Sequence, residues 1–163
     1  MEQATVILLA RAIHVVGGVV WAGAAIIMGL AVMPVLLQHA EEGAGRWLGM
    51  IGMRVGILSG ISALLTIISG MYLFHALHAN DGSVGKIVLA SGAMAAILAL
   101  VVGIAFARPA GVKLMKLQQS GSPDPASIAA LRTRTLISAR LVVGLMTLSV
   151  LAMALFRYAQ ALA

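Results

Sequence analysis

Along this chain the charged residues come in short clusters and the apolar residues in long unbroken runs. Residues 12–37 contain no acid, lysine or arginine, and further uncharged runs cover 55–74, 87–107 and 141–156. About 20 apolar residues are enough to cross the hydrocarbon core of a bilayer as a helix. A segment inside lipid must satisfy its own backbone, which leaves a helix or a closed barrel. The pattern predicts an all-α integral membrane protein, an antiparallel four-helix bundle forming one domain over 1–163. Its spans are expected at about 4–38, 50–76, 85–108 and 135–158.

Pro34, near the end of the first run, cannot donate to the carbonyl of Leu30 and is expected to kink or thin the last turns. His39-Ala40-Glu41-Glu42 opens a polar connection, Asn80-Asp81-Gly82-Ser83 reads as a turn, and Ser120 to Pro123 breaks the chain again. Asp124 suits an N-cap, with Pro125 in the first helical position. Residues 111–119 and 126–134 mix leucines with lysines and arginines at helical spacing. They predict two antiparallel helical extensions at headgroup level. The fourth uncharged run is short, so Arg140 and Arg157 are expected to snorkel to the interfaces.

Composition agrees with this reading. Charged residues make up 10% of the chain, against roughly 25% in soluble domains. With no cysteine there can be no disulfide, thiolate metal site or cysteine nucleophile. The formal charge of +6 flanks the apolar spans and forms no patch interleaved with aromatics, so no nucleic-acid partner is expected. The first apolar run is longer than a signal-peptide core and lacks a basic leader, so it is expected to be retained. The end carrying both termini holds Arg11, Lys86 and Arg157. The opposite end holds Arg46, Arg54, Arg108, Lys113, Lys116, Arg132, Arg134 and Arg140. Eight basic residues against three orient both termini away from the cytoplasm, in a multi-pass protein of a bacterial cytoplasmic (inner) membrane.

Small residues let helices approach where lipid cancels the hydrophobic effect. Gly52, Gly56 and Gly60 form a doubled small-xxx-small pattern, with Gly18, Ala22 and Gly29, and Ala95, Ala99 and Gly103, as candidate partners on other spans. They are expected to pack the bundle itself, the alternative being a homodimer.

The chemistry-bearing residues are few. His14 lies inside the first span, where an ionisable group is by default a functional candidate. Gly18 and Trp21 share its helix face, and Gly17 and Gly18 remove bulk beside the ring. The second span ends with Met71, His75 and His78 at i, i+4 and i+7, and antiparallel connectivity is expected to bring them level with His14. Imidazole and thioether together suit haem iron or copper. Lys86 at the same end would meet a haem propionate. The plainer reading makes His75 and His78 solvated residues meeting the C-terminal carbonyls of their helix, His14 a hydrogen-bonded packing residue, and Trp21 a core tryptophan. At the basic end, Arg54 and Arg140 with Glu41 and Glu42 read as an ion network, or else as a site for an anionic lipid or a quinone headgroup. No span contains a carboxylate, which argues against a carboxylate-coupled pump or transporter.

Arg11-Ala12-Ile13-His14 followed by Trp21-Ala22-Gly23 and Pro34 resembles the first helix of CopD-type copper-resistance membrane proteins. It is similar also to that of HemJ-type protoporphyrinogen oxidases, four-helix membrane proteins that bind haem b. Ile68-Ser69-Gly70-Met71-Tyr72, Lys86-Ile87-Val88 and Met153 to Tyr158 extend the likeness over most of the chain. The resemblance implies that His14 matches the first-helix histidine, a haem-ligand candidate, and Lys86 the third-helix lysine. HemJ-type proteins carry Leu-Pro-Arg-Leu soon after the tryptophan and Asn-Glu-x-Pro in the last helix. Here Met33-Pro34-Val35 and Thr133-Arg134-Thr135 stand near those places, and the third span has no histidine. What carries over is a haem- or metal-binding bundle.

The expectation is a haem-b-binding membrane protein in electron transfer or haem-linked redox chemistry, with a redox protein or quinone as partner. Its cofactor contacts would be His14, Gly18, Trp21, His75 and Lys86. The alternatives are copper handling by His14, Met71, His75 and His78, and a cofactor-free accessory subunit of a larger membrane complex.

Overall fold

The computed structural model describes residues 2–39, 44–79, 82–119 and 124–161. Among these, four helices are long and apolar enough to cross a membrane, arranged as an antiparallel all-α bundle. The first span joins α1 (Glu2–Ile27) to α2 (Met33–Gln38), the second is α3 (Ala44–His78), the third joins α4 (Val84–Val102) to α5 (Arg108–Gln119), and the fourth is α6 (Pro125–Ala161). The chain is a multi-pass membrane protein, and its apolar helices are compatible with contact to a lipid bilayer. Glu41, Glu42, Asn80, Asp81 and Ser120 to Pro123 lie outside the described residues, so the expected ion network and two of the expected breaks do too. Arg54 and Arg140 are exposed.

Pro34 does not thin its helix, one of the two outcomes expected of it, and sits just after a widened turn. The backbone widens over Met28–Val32 into a π-turn, and the Met33 N–H donates to the Met28 carbonyl five residues back. The third span repeats the device over Gly103–Ala107, where Arg108 N–H reaches the Gly103 carbonyl just before Pro109. A proline ring collides with the carbonyl four residues earlier and offers it no proton. One wider turn moves that carbonyl aside and lets the helix continue.

The helices pair as two hairpins, α1 on α3 and α4 on α6, joined where α1 meets α6. Their shared core is made of small residues around one large one. Trp21 and Ala22, Ala63, Ala96 and Ala99, and Met146 come from all four spans. A second cluster sits at the basic end, where Leu37 and Leu114 are enclosed by Met33, Leu36, Ile128, Leu131 and Leu136. This is the predicted pair of extensions, α5 lying against the start of α6. Asp124 caps α6 as expected, accepting from the Ala126 and Ser127 amides at 3.2 and 3.1 Å and from the Ser127 hydroxyl at 2.7 Å. Those bonds, the Ser127 hydroxyl first, hold its carboxyl below its ordinary pKa of 3.8.

The glycine expectation is corrected. Among the described residues a Cβ at Gly52, Gly56 or Gly60 would meet nothing within 4 Å, so that stripe does not pack against them. The inward line of α3 runs through Val55, Ser59, Ser62 and Thr66, and Gly56 and Gly60 stand one residue, about 100°, round from it. The close approaches lie on other helix faces, among them Gly29, as expected, and Gly17 and Gly92 besides. A Cβ at Gly17 would be 2.6 Å from the Thr66 hydroxyl oxygen. One at Gly92 would be 2.7 Å from the Ala152 Cβ, and one at Gly29 2.5 Å from Val143 Cγ2.

Candidate functional site

The α1–α3 seam carries an unusual amount of polarity for a membrane interior. Ser62, Thr66 and Ser69 are all buried on α3, and two of their hydroxyls are settled within their own helix. Thr66 Oγ1 donates to the Ser62 carbonyl at 2.7 Å and Ser69 Oγ to the Leu65 carbonyl at 2.5 Å. Such bonds to the preceding turn let a hydroxyl sit in an apolar helix without an orphaned proton.

His14 crosses this seam. Its Nδ1 lies 2.8 Å from the Thr66 carbonyl oxygen. A carbonyl can only accept, so Nδ1 carries the proton, and in the neutral ring Nε2 keeps its lone pair. The ring is half-buried and lies in a notch left by Gly70, where a Cβ would come within 2.7 Å of Cε1 and 2.9 Å of Nδ1. Binding of one ring nitrogen to a backbone carbonyl is the usual way to orient an imidazole that uses its other nitrogen as a ligand.

The remaining candidates do not gather around it. Gly70 is level with His14, so His75 lies about 7 Å and His78 about 12 Å further along the axis, at 1.5 Å per residue. Met71 is 68% exposed and His75 is exposed as well. His78 instead joins an aromatic cluster, with its ring 6.2 Å from Phe74 and 5.9 Å edge-on to Phe156 of α6. Lys86 closes the same cluster. Its ammonium stands 5.8 Å over the Phe74 ring and donates to the Ala79 carbonyl at 3.2 Å. Among the described residues no group of three or more His, Cys, Asp or Glu side chains is placed to hold a metal ion.

Trp21 is 5% exposed and fills the bundle centre. A Cβ at Gly18 would stand 3.7 Å from Thr66 Cγ2, an ordinary contact, and Gly17 makes the closer approach. The space these glycines leave is thus filled by α3. Below His14 the bundle is occupied by Trp21, Ala63, Ala96, Ala99 and Met146, and the open side of the imidazole is its partly exposed edge.

Thr66 and Gly70 are the residues that reading the sequence overlooked. Their signal is present as Ser62-x3-Thr66-x3-Gly70, hydroxyls and a glycine at one-turn spacing inside an uncharged run. Compared with protein-family models, with curated proteins and with solved structures, the chain matches none.

Proposed function

We propose that this chain is a haem-b-binding membrane bundle serving electron transfer or haem-linked redox chemistry, in which His14 would hold the haem. The observation that carries the reading is the 2.8 Å bond from His14 Nδ1–H to the Thr66 carbonyl, which would leave the Nε2 lone pair available to hold the group. His75 is exposed and offset along the axis, so a second bond from that residue is not part of the proposal. The haem iron would supply the one-electron chemistry. The Thr66 carbonyl holds the imidazole tautomer, and Gly70 makes room for the ring against α3. Exposed Arg11, one turn towards the chain's start, is the cation closest in sequence for a carboxylate, since Lys86 is engaged at the end of α3. The likeness to CopD- and HemJ-type proteins supports the same placement of a first-helix histidine. The basic bias supports a bacterial cytoplasmic membrane with both termini outside the cytoplasm.

The test is an absorption spectrum of protein purified in detergent from haem-supplied cells. A b-type Soret band is expected, lost in His14→Ala and kept in His75→Ala. A colourless wild-type preparation, or a band indifferent to His14, overturns the proposal. The copper reading would need His14, Met71, His75 and His78 around one ion, and their separate positions give it no support.

A second reading, an accessory subunit of a larger membrane complex or a homodimer, is favoured by the open face at Gly52, Gly56 and Gly60. Co-purification with fixed partners that is lost in Gly56→Leu, together with tolerance of alanine at His14, His75 and His78, would support it.

A further inference from the structure

Two grooves run along the outer face of the hairpin formed by the third and fourth spans. They meet at Ala130, which lines both. The first, of about 420 Å³, is floored by Val102, Phe106, Ile137 and Leu141, with Arg134 at its edge. The second, also about 420 Å³, carries Lys113 and Lys116 beside Leu117 and Ser127. The π-turn Gly103–Ala107 lies at the wall of the apolar groove and presents Phe106, 48% exposed, to it. Both grooves belong to one face, apolar where the chain is uncharged and basic where α5 leaves the membrane.

We propose that this face is a binding site for one anionic phospholipid of the leaflet at the basic end. Its acyl chain would lie on the apolar floor and its phosphate between Arg134 and the Lys113–Lys116 pair. Two features select that occupant. Val102 and Leu141 belong to uncharged runs, so this part of the floor is at hydrocarbon depth, where an aqueous ligand is not found. The basic rim has no acidic residue among those lining either groove, so the charge it complements is negative. Exposed lysine and arginine at this level hold a phosphate at about 1 kcal/mol each. The proposal does not depend on whether His14 binds haem.

The experiment is native mass spectrometry of the full-length protein in detergent, titrated with phosphatidylglycerol or with phosphatidylcholine of the same acyl chains. One tight phosphatidylglycerol adduct is expected, with phosphatidylcholine weaker. Lys116→Gln with Arg134→Gln should weaken the adduct about thirtyfold, a factor of roughly five for each basic residue. Arg54→Gln with Arg140→Gln removes the same charge from the same end outside the groove, and should leave it unchanged. Ala130→Trp fills the junction and should abolish the adduct with the charges intact. Equal affinity for the two lipids, equal loss in both double variants, or an unaffected Ala130→Trp would overturn the proposal. Displacement of the adduct by inorganic phosphate alone would do so too, because it would make the site a headgroup site without a tail. All four substituted cations and Ala130 are exposed, so the variants should fold, and an unchanged melting temperature checks it.

Discussion

Replacing Gly70 by alanine adds one methyl group, and the α1–α3 seam has no room for it. The new Cβ would lie 2.7 Å from His14 Cε1 and 2.9 Å from Nδ1, where ordinary contact needs about 3.5 Å or more. The imidazole must retreat by several tenths of an ångström, and its 2.8 Å bond to Thr66 lengthens or breaks. An interhelical hydrogen bond in a membrane is worth about 0.6 kcal/mol and at most about 1.7. Overpacking by one methyl costs about 1–3 kcal/mol. Against this, glycine to alanine in a helix interior gains about 1 kcal/mol. The single variant should therefore be destabilised by about 1–3 kcal/mol. In a His14→Ala background nothing occupies the notch, and the same change should be stabilising by about 1 kcal/mol. The cycle of wild type, two singles and the double, followed by denaturant unfolding in micelles, should return a coupling of about 2 kcal/mol or more. Additivity within 0.5 kcal/mol would refute the placement of the ring over Gly70, and with it the tautomer argument.

Other expectations follow from the same contacts. Thr135 is 1% exposed and its hydroxyl has no hydrogen-bond partner among the described residues, so Thr135→Val, which keeps the shape, should raise thermal stability by about 1 kcal/mol; a loss of that size would mean that a bound water satisfies the hydroxyl. Gly92→Ala drives a methyl against Ala152 and to 3.2 Å from the Ser149 carbonyl, a backbone atom that cannot yield, and should cost about 1–3 kcal/mol. Gly56→Ala meets open space and should leave unfolding unchanged or slightly improved, which the same melts would read. The Asp124 cap has a lowered pKa, so its contribution to α6 is complete above the unfolded value near 3.8 and lost as pH falls through the lower folded one. The Ala126 and Ser127 amide resonances should therefore hold steady from neutral pH to about 4 and shift only below it; movement near pH 6 would contradict the cap.

The four spans, their order, the helical extensions at the basic end and the Asp124 cap were legible in the chain because each follows from local chemistry. An uncharged run as long as the bilayer must be helical wherever its neighbours lie, and a carboxylate followed by proline caps a helix without tertiary help. The fate of each side chain around the bundle was another matter. A one-residue change in helix phase is about 100° of rotation, enough to turn Gly56 and Gly60 outward while Ser59 and Ser62 face in, and a stripe of glycines does not say which way it faces. The level of His14 was likewise undetermined to within a turn, and that turn separates an imidazole resting on Gly70 from one beside His75. Where two helices touch depends on how well their surfaces interlock, a property of the pair. The notch at Gly70, the Thr66 carbonyl that receives the imidazole proton, and the groove joining Arg134 to Lys113 and Lys116 exist only once the helices are packed.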